Sequence, residues 1–585
     1  MPAVRRACGA GVLLALAGGR AAAQRESAPA TAAASRGVPV DGACRRVESR
    51  TNLAEVSGRT IGTLDVVAGA PQTPRVPFLA RLAGRTHVRT QQRTLRRFLL
   101  IAPRDTVDTL RVAESLRRLR RLGYLDDVLL VANDCGPATP LAVTLLARDA
   151  VSLRPDLRFN TGTRPDAGTG TTAAPPQSYS AGFAERNLLG TGRDLSAAAI
   201  GTRDRNGFAV AASDPAVLGS LYAVGARLAR NPIENATTLS VRPPDRELAE
   251  LWRGEFAVGS TRRAGAARRG ASFSRAGGDA LLGRRVAADD GIGSATFLMA
   301  GAEAERTRLI AAPNAILGGP SVVRRDFAGV DLGAGRYAEQ YGAITWLLPD
   351  ARVVDVPRGV EGELVAGIGR DQVARRSAAH VDFWSGRMWL PHPDLLGVAD
   401  VWASGYLQRG SNVSGGSARA ALTGVARQPG GYLYGRVAAE RLLAPDPDQQ
   451  ALLGFDPTVR IVGRQTRLAQ TAVAALVERD WRIASRVGHL NLDLAGFGAA
   501  SYRASERTLS WPVTPGPVPP PVDQFVSAVG GGVHVVPNAV GRSALRFDYV
   551  VPATHVRGGR RNPYVTATVT PWILVNRFRD GRRGF

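Results

Sequence analysis

The feature that most constrains this chain is an alternation that sets a polar or charged residue at every second place of otherwise apolar segments. In the stretch from His489 to Leu494, Leu490, Leu492 and Leu494 share one face while His489, Asn491 and Asp493 share the other. Leu545, Phe547 and Tyr549 alternate with Arg546 and Asp548, and Leu364, Ala366 and Ile368 face away from Glu361 and Glu363. Period two is the side-chain repeat of a β-strand. Charge at each inward position ruins the core of a soluble sandwich, but it suits a barrel with lipid outside and a polar lumen inside. No segment runs for about 18 uncharged apolar residues. A membrane protein of this kind must therefore span as a closed β-barrel, the other structure that satisfies every backbone group in lipid. A large soluble antiparallel domain also alternates and is the competing reading. About sixteen Gly-punctuated segments of roughly ten residues follow Pro155.

Composition agrees only in part. Aromatic residues make up 6 % of the 585, which is low for a barrel with aromatic girdles. The chain has no lysine, so its 75 basic residues are all Arg and its formal charge is +25. A wholesale exchange of Lys for Arg reads as compositional bias, and no nucleic-acid motif accompanies it. Some of these Arg side chains suit anionic lipid headgroups. Met1 to Arg6 form a basic start, Val12 to Leu16 an apolar run and Ala21 to Ala23 a small-residue site, so residues 1–23 read as a signal peptide. Its cleavage removes Arg5, Arg6 and Arg20, giving 25 − 3 = +22. Cys8 leaves with it. Cys44 and Cys135 remain, either as a disulfide suited to an oxidising periplasm or as two thiols.

Residues 24–58 read as a flexible leader, and 59–150 as a small α+β domain. A strand is expected over Thr60 to Val66, a short helix over Gln92 to Leu100, and a longer one from Asp105 to Gly123. Asp108 can cap that longer helix, with Leu110, Ala113, Leu116 and Leu119 at helical spacing. Asp127 to Ala132 and Leu141 to Ala147 then form a strand pair around a turn at Asp134 to Pro140. A linker is expected over 151–177 and the barrel over 178–585, with the Pro-rich Trp511 to Val522 as an extracellular loop.

Several of these segments resemble the BamA/TamA superfamily of outer-membrane barrels with POTRA domains. Gly182 to Leu195, GFAERNLLGTGRDL, looks like that family's first barrel hairpin, E-x-N-x-x-G-x-G-x-x-L, matched at Glu185, Asn187, Gly190, Gly192 and Leu195. An Asn and two close Gly suit a turn needing positive φ. The strand-helix-helix-strand-strand order, with AESLRRLRRLGYLDDVLL from Ala113, resembles a single POTRA domain. LLGFDPTVRIV, Leu452 to Val462, resembles the family's inward-folded loop, with Arg460 at its tip arginine and Ile461 and Val462 in place of the expected Gly and aromatic. The resemblance implies that Arg460 sits in the lumen and pairs with Glu478 and Asp493, since a buried Arg needs a partner. Val526 to Val536, Arg542 to Pro552 and Tyr564 to Ile573 look like the last three strands, with Trp572, Phe578 and Phe585 as candidate assembly-signal aromatics.

The expected fold is thus an all-β membrane barrel preceded by one small α+β POTRA domain, in the outer membrane with the domain in the periplasm. The resemblance implies insertion or export of client proteins by strand augmentation and opening of the barrel seam. Its implied partners are outer-membrane lipid and lipopolysaccharide, unfolded or partly folded client proteins, and periplasmic or lipoprotein accessory proteins. Alternatives are a transport channel or pore without insertase activity, and a two-partner secretion transporter. No enzyme, cofactor, metal or nucleic-acid partner is expected. The six His (87, 380, 392, 489, 534 and 555) are scattered without zinc-type spacing, and no P-loop, G-x-G-x-x-G or nucleophile elbow is present.

Overall fold

The computed structural model describes residues 44–49, 53–70, 88–122, 124–150, 152–160, 178–202, 205–217, 220, 222–232, 234–242, 251–264, 272–289, 294–310, 322–338, 341–346, 353–357, 359–408, 412–443, 471–487, 490–504, 524–537, 543–553 and 563–571. Residues 1–23, expected as a signal peptide, Arg460 with its expected loop, the Pro-rich Trp511 to Val522, and Trp572, Phe578 and Phe585 lie outside these residues.

The first unit is a four-stranded sheet in the order β1-β3-β4-β2. Its strands are β1 (Arg45–Glu48), β2 (Ile61–Gly69), β3 (Leu125–Asp134) and β4 (Leu141–Asp149), with helices α1 (Gln92–Arg96) and α2 (Thr109–Arg121) between β2 and β3. β2 runs parallel to β4, and the other pairs are antiparallel. Asp108 caps α2, accepting from the amides of Leu110 at 2.8 Å and Arg111 at 3.5 Å; such a cap is worth about 1 kcal/mol. Val112, Leu116 and Leu119 carry the helix into a core with Ile61, Val66, Val128, Leu130, Val143 and Leu145. Leu110, expected on that face, is exposed and its place is taken by Val112. Within the leader expected over 24–58, residues 44–49 and 53–58 are folded. β1 pairs with the end of β3, and Cys44 and Cys135 are bonded, with Cα atoms 4.1 Å apart. A strand of four residues is too short for alternation to reveal.

The second unit is a closed barrel in which the described residues form twenty strands, β5–β14 and β17–β26 in sequence order, with β26 (Tyr564–Pro571) meeting β5 (Leu153–Asn160). The count exceeds the expected sixteen because the early strands are short and Ala/Gly-rich: β7 (Arg193–Thr202), β8 (Asn206–Asp214), β9 (Ala223–Arg230) and β10 (Glu234–Arg242) span 8–10 residues. The barrel also starts earlier than residue 178. β5 occupies part of the expected linker, reads Leu-Arg-Pro-Asp-Leu-Arg-Phe-Asn, and pairs with β6 (Ser178–Leu188). Farther round, β13 (Ser294–Ile310), β14 (Val322–Ala338), β18 (Arg376–His392), β20 (Asn412–Gln428) and β22 (Thr471–Val487) each span 17 residues.

Burial along the strands is inverted relative to a soluble domain. Ile368, Leu332 and Val330 are 72, 69 and 66 % exposed, and Leu364, Leu422, Val437, Val477, Phe547 and Tyr549 also face outward. Glu361, Asp331, Asp548 and Asp493 are 0, 3, 0 and 1 % exposed. Apolar groups outside and carboxylates inside are the reverse of what water selects.

Two strands leave the wall. β15 (Tyr341–Ile344) and β16 (Val354–Pro357) form a hairpin between β14 and β17 (Gly359–Asp371), at the barrel end nearest the small domain. Its Ile344 and Val356 pack with the inward-facing Met388, Leu396, Val398 and Tyr434. Trp346 donates Nε1 to the Pro393 carbonyl at 2.6 Å and stacks on Tyr432. This hairpin was not legible in the sequence, because two four-residue strands carry too few alternations to stand out.

Candidate functional site

Two places gather buried polar groups, and the first of them also has unusual backbone. The first is the turn between β6 and β7, which holds Glu185, Asn187, Gly190 and Gly192. The sequence resemblance placed this motif in the first hairpin; β5 makes it the second. Leu189, Gly190 and Gly192 have φ of 55°, 73° and 76°. Asn187 bridges the turn. Its Oδ1 accepts from the amide of Gly192 and its Nδ2 donates to Oγ1 of Thr90, both at 2.8 Å. Thr90 in turn donates its hydroxyl to Oδ1 of Asp149 at 2.6 Å and its amide to Oδ2 at 2.9 Å. Glu185 accepts from the Asn187 amide at 2.8 Å. Gln91 donates its amide to the Gly190 carbonyl at 2.9 Å. Asn187, Thr90 and Asp149 are buried, so this chain of hydrogen bonds is shielded from water, where breaking one is expensive.

The two Gly are required by contact as well as by φ. A Cβ on Gly190 would stand 2.3 Å from the Arg89 carbonyl oxygen, and one on Gly192 2.5 Å from the Tyr124 hydroxyl. Burial, and then the negative charge of Asp194, Asp149 and Asp214, push the Tyr124 phenol far above its ordinary value, so it stays neutral. Ala216, from the turn after β8, enters the same domain core. The barrel is thus seated on the small domain through two turns. A third link runs from α2 to the inner hairpin: Arg120 donates Nε and Nη2 to Asp355 at 3.0 and 2.5 Å, and the Arg117 guanidinium lies 4.5 Å from the Tyr341 ring centre.

The second place is the inner wall of β22, β23 (Leu490–Ala504), β24 (Gln524–Pro537) and β25 (Ser543–Pro552). Register sets three rows on one face. Arg482, Asp493, His534 and Arg546 are cross-strand neighbours. Asp480, Ala495, Gly532 and Asp548 form the next row, and Glu478, Phe497, Gly530 and Val550 the third. Small residues in the middle row open a slot between Asp480 and Asp548, and the His534 ring occupies it. Its Nδ1 and Nε2 each lie 3.2 Å from a carboxylate oxygen, of Asp480 and Asp548 respectively. Arg546 reaches Glu478 at 3.1 Å, and Arg482 reaches Asp493 at 3.3 Å. Glu478 and Asp493, singled out in the sequence as partners of Arg460, are therefore brought into one cluster, each with an arginine already beside it. Asp480, His534, Arg546 and Asp548 were missed as members. The alternation of β25 pointed to its inner face, but nothing in one strand shows which strands stand next to it.

A second inner patch lies toward the other end of the barrel. Glu303 accepts from the Tyr406 hydroxyl at 2.5 Å and lies 3.0 Å from Nδ1 of His380, and Glu305 accepts from Arg325 at 2.7 Å.

A closed barrel with an apolar outside and a charged inside, seated on a small α+β domain, defines a transmembrane β-barrel with an N-terminal accessory domain. No protein-family model and no curated protein matches the chain. Among solved structures it is similar to BamA from Haemophilus ducreyi lacking POTRA domains 1–3, at 11 % identity over 87 % of this chain and 85 % of that one, with a TM-score of 0.33. It is also similar to CdiB from Escherichia coli, at 11 % identity over 90 % and 80 % of the two chains and a TM-score of 0.38. For CdiB from Acinetobacter baumannii the values are 11 %, 84 %, 78 % and 0.37. The class rests on strand pairing and burial, not on these likenesses.

Proposed function

We propose that the chain is an outer-membrane factor that inserts or exports client polypeptides, with residues 59–150 acting as a single periplasmic POTRA domain. The observation that carries this reading is the joint between the two units. β4 ends at Asp149 and β5, the strand that meets β26 to close the barrel, begins at Leu153. Ala150 donates its amide to the Tyr124 carbonyl at 2.8 Å, and the Ser152 carbonyl accepts from the Arg186 amide at 3.2 Å, so Ala150 and Ser152 are both tied down. In this reading a force on the domain's sheet reaches the closing strand through this short joint. Among the described residues, β2 has a strand partner on one side only, and such an edge can receive an extended peptide. A client strand added there would then pass to the β26–β5 closure. In this reading Arg460 joins the Glu478–Asp493 cluster from the inward loop and braces the lumen.

Depletion tests it. The expected result is a fall in the outer-membrane level of other barrel proteins, or of one exported protein, with small-solute uptake unchanged. Normal levels of all of these, together with a large conductance of the purified protein in a planar bilayer, would replace the reading with that of a channel.

A further inference from the structure

The inner cluster of β22–β25 holds one histidine between two carboxylates, and the two contacts differ in kind. Nε2 of His534 makes a hydrogen bond with Oδ1 of Asp548. Nδ1 faces Oδ1 of Asp480 at 3.2 Å, yet neither atom makes a hydrogen bond. Glu478 stands beside them, and one ligand atom from each of Glu478, Asp480 and His534 lies within 4.8 Å of the others. The three side chains are 2, 5 and 0 % exposed as residues. Donors around one zinc ion, at about 2.0–2.2 Å from it, sit roughly 3.4 Å apart, so small side-chain adjustments close the site.

A His ligand that passes its other ring proton to a carboxylate is the usual outer support of a metal site, and Asp548 supplies it. A Cβ on Gly532 would stand 2.3 Å from Oδ1 of Asp548, so the glycine makes room for that support. One nitrogen among oxygen donors favours zinc-class ions over calcium or magnesium.

We propose that Glu478, Asp480 and His534 bind one divalent transition-metal ion of the zinc class, with Asp548 orienting the histidine. The ion would tie β22 to β24 and, through Asp548, to β25.

The test uses the full chain folded in detergent and stripped with a chelator. Zinc uptake is measured by elemental analysis and calorimetry, and cobalt by its visible ligand-field absorption. The expected result is one equivalent of zinc, lost in both His534→Gln and the near-isosteric Asp480→Asn. Asp548→Asn should weaken binding about 10- to 100-fold, and His380→Gln, in the other patch, should leave the equivalent in place. Heat-modifiable migration identifies variants that fold, and the Asp480→Asn measurement stands if His534→Gln does not. No uptake by the native chain, or equal uptake by native and Asp480→Asn protein, overturns the proposal. So does uptake that appears only in Arg460→Ala, because the arginine then fills the place of the ion beside Glu478 and Asp480 and does not share the cluster with it.

Discussion

Replacing Gly192 with Ala should release the small domain from the barrel without opening the barrel itself. Two costs add at this position. A non-Gly residue held in the left-handed region costs about 1–2 kcal/mol. The new Cβ would also stand 2.5 Å from the Tyr124 hydroxyl and 3.1 Å from Cγ2 of Thr94, and overpacking of this kind costs about 1–3 kcal/mol. The sum, about 2–5 kcal/mol, corresponds to a shift in the docking equilibrium of roughly 30-fold to several thousand-fold at 1.4 kcal/mol per tenfold. The strand ladders of β6 and β7 do not depend on the turn being docked, so heat-modifiable migration should be unchanged. Hydrogen–deuterium exchange in detergent reads the effect at two amides, those of Gln91 and Gly192, whose acceptors lie across or within the turn. Both should exchange faster by about that factor, while amides of β13 and β14 stay protected. Gly424→Ala, where a Cβ meets nothing within 4 Å, is the control. If Gly192→Ala leaves both amides as protected as in the native chain, the turn is not what holds the domain, and the coupling argument fails with it.

Three further outcomes are expected. Asp355→Asn weakens the two-point contact with Arg120 and should free the inner hairpin from α2 at a cost of about 1–3 kcal/mol, seen as a broader distance distribution between spin labels placed on α2 and at the hairpin tip. Leu332→Arg, on the outer face, should lower barrel stability in lipid by about 2–4 kcal/mol in denaturant titrations, whereas Ala at the same place should cost much less. Replacing Cys44 and Cys135 with Ala should raise amide exchange at Val131 to Asp134, where β1 pairs with β3, and leave Leu141 to Leu145 protected; equal exchange in both proteins would show that β1 is held without the disulfide.

What could be read from the sequence follows the range of the forces involved. The cap at Asp108 and the apolar stripe of α2 are local, so the helix was legible to within a few residues, though the stripe's phase was set by Val112 instead of Leu110. The inside and outside of β17 and β25 were legible because their alternating residues differ sharply in polarity. β8 and β9, built largely of Ala, Gly and Val, lacked that contrast, which hid part of the strand count. The inner cluster was hidden for a different reason. Glu478, Asp493, His534 and Asp548 come from four strands, and only the register of the closed sheet puts them in adjacent rows. The seat of Asn187 on Thr90 depends on a contact spanning 97 positions, which no local pattern announces.

The uneven strand lengths carry a consequence for the surrounding bilayer. A strand rises about 3.3 Å per residue and tilts by roughly 40° in such barrels. The 8 and 9 residues of β9 and β8 thus give a wall about 20 Å tall, and the 17 residues of β14 and β18 one of about 43 Å. Typical hydrocarbon is about 30 Å thick. Lipid next to the short side must compress to cover the apolar band, at a fraction of a kcal/mol per Å. The short side includes β8 and β9, close in strand order to the β26–β5 closure, so the barrel imposes its thinnest membrane near the place where its own wall begins and ends.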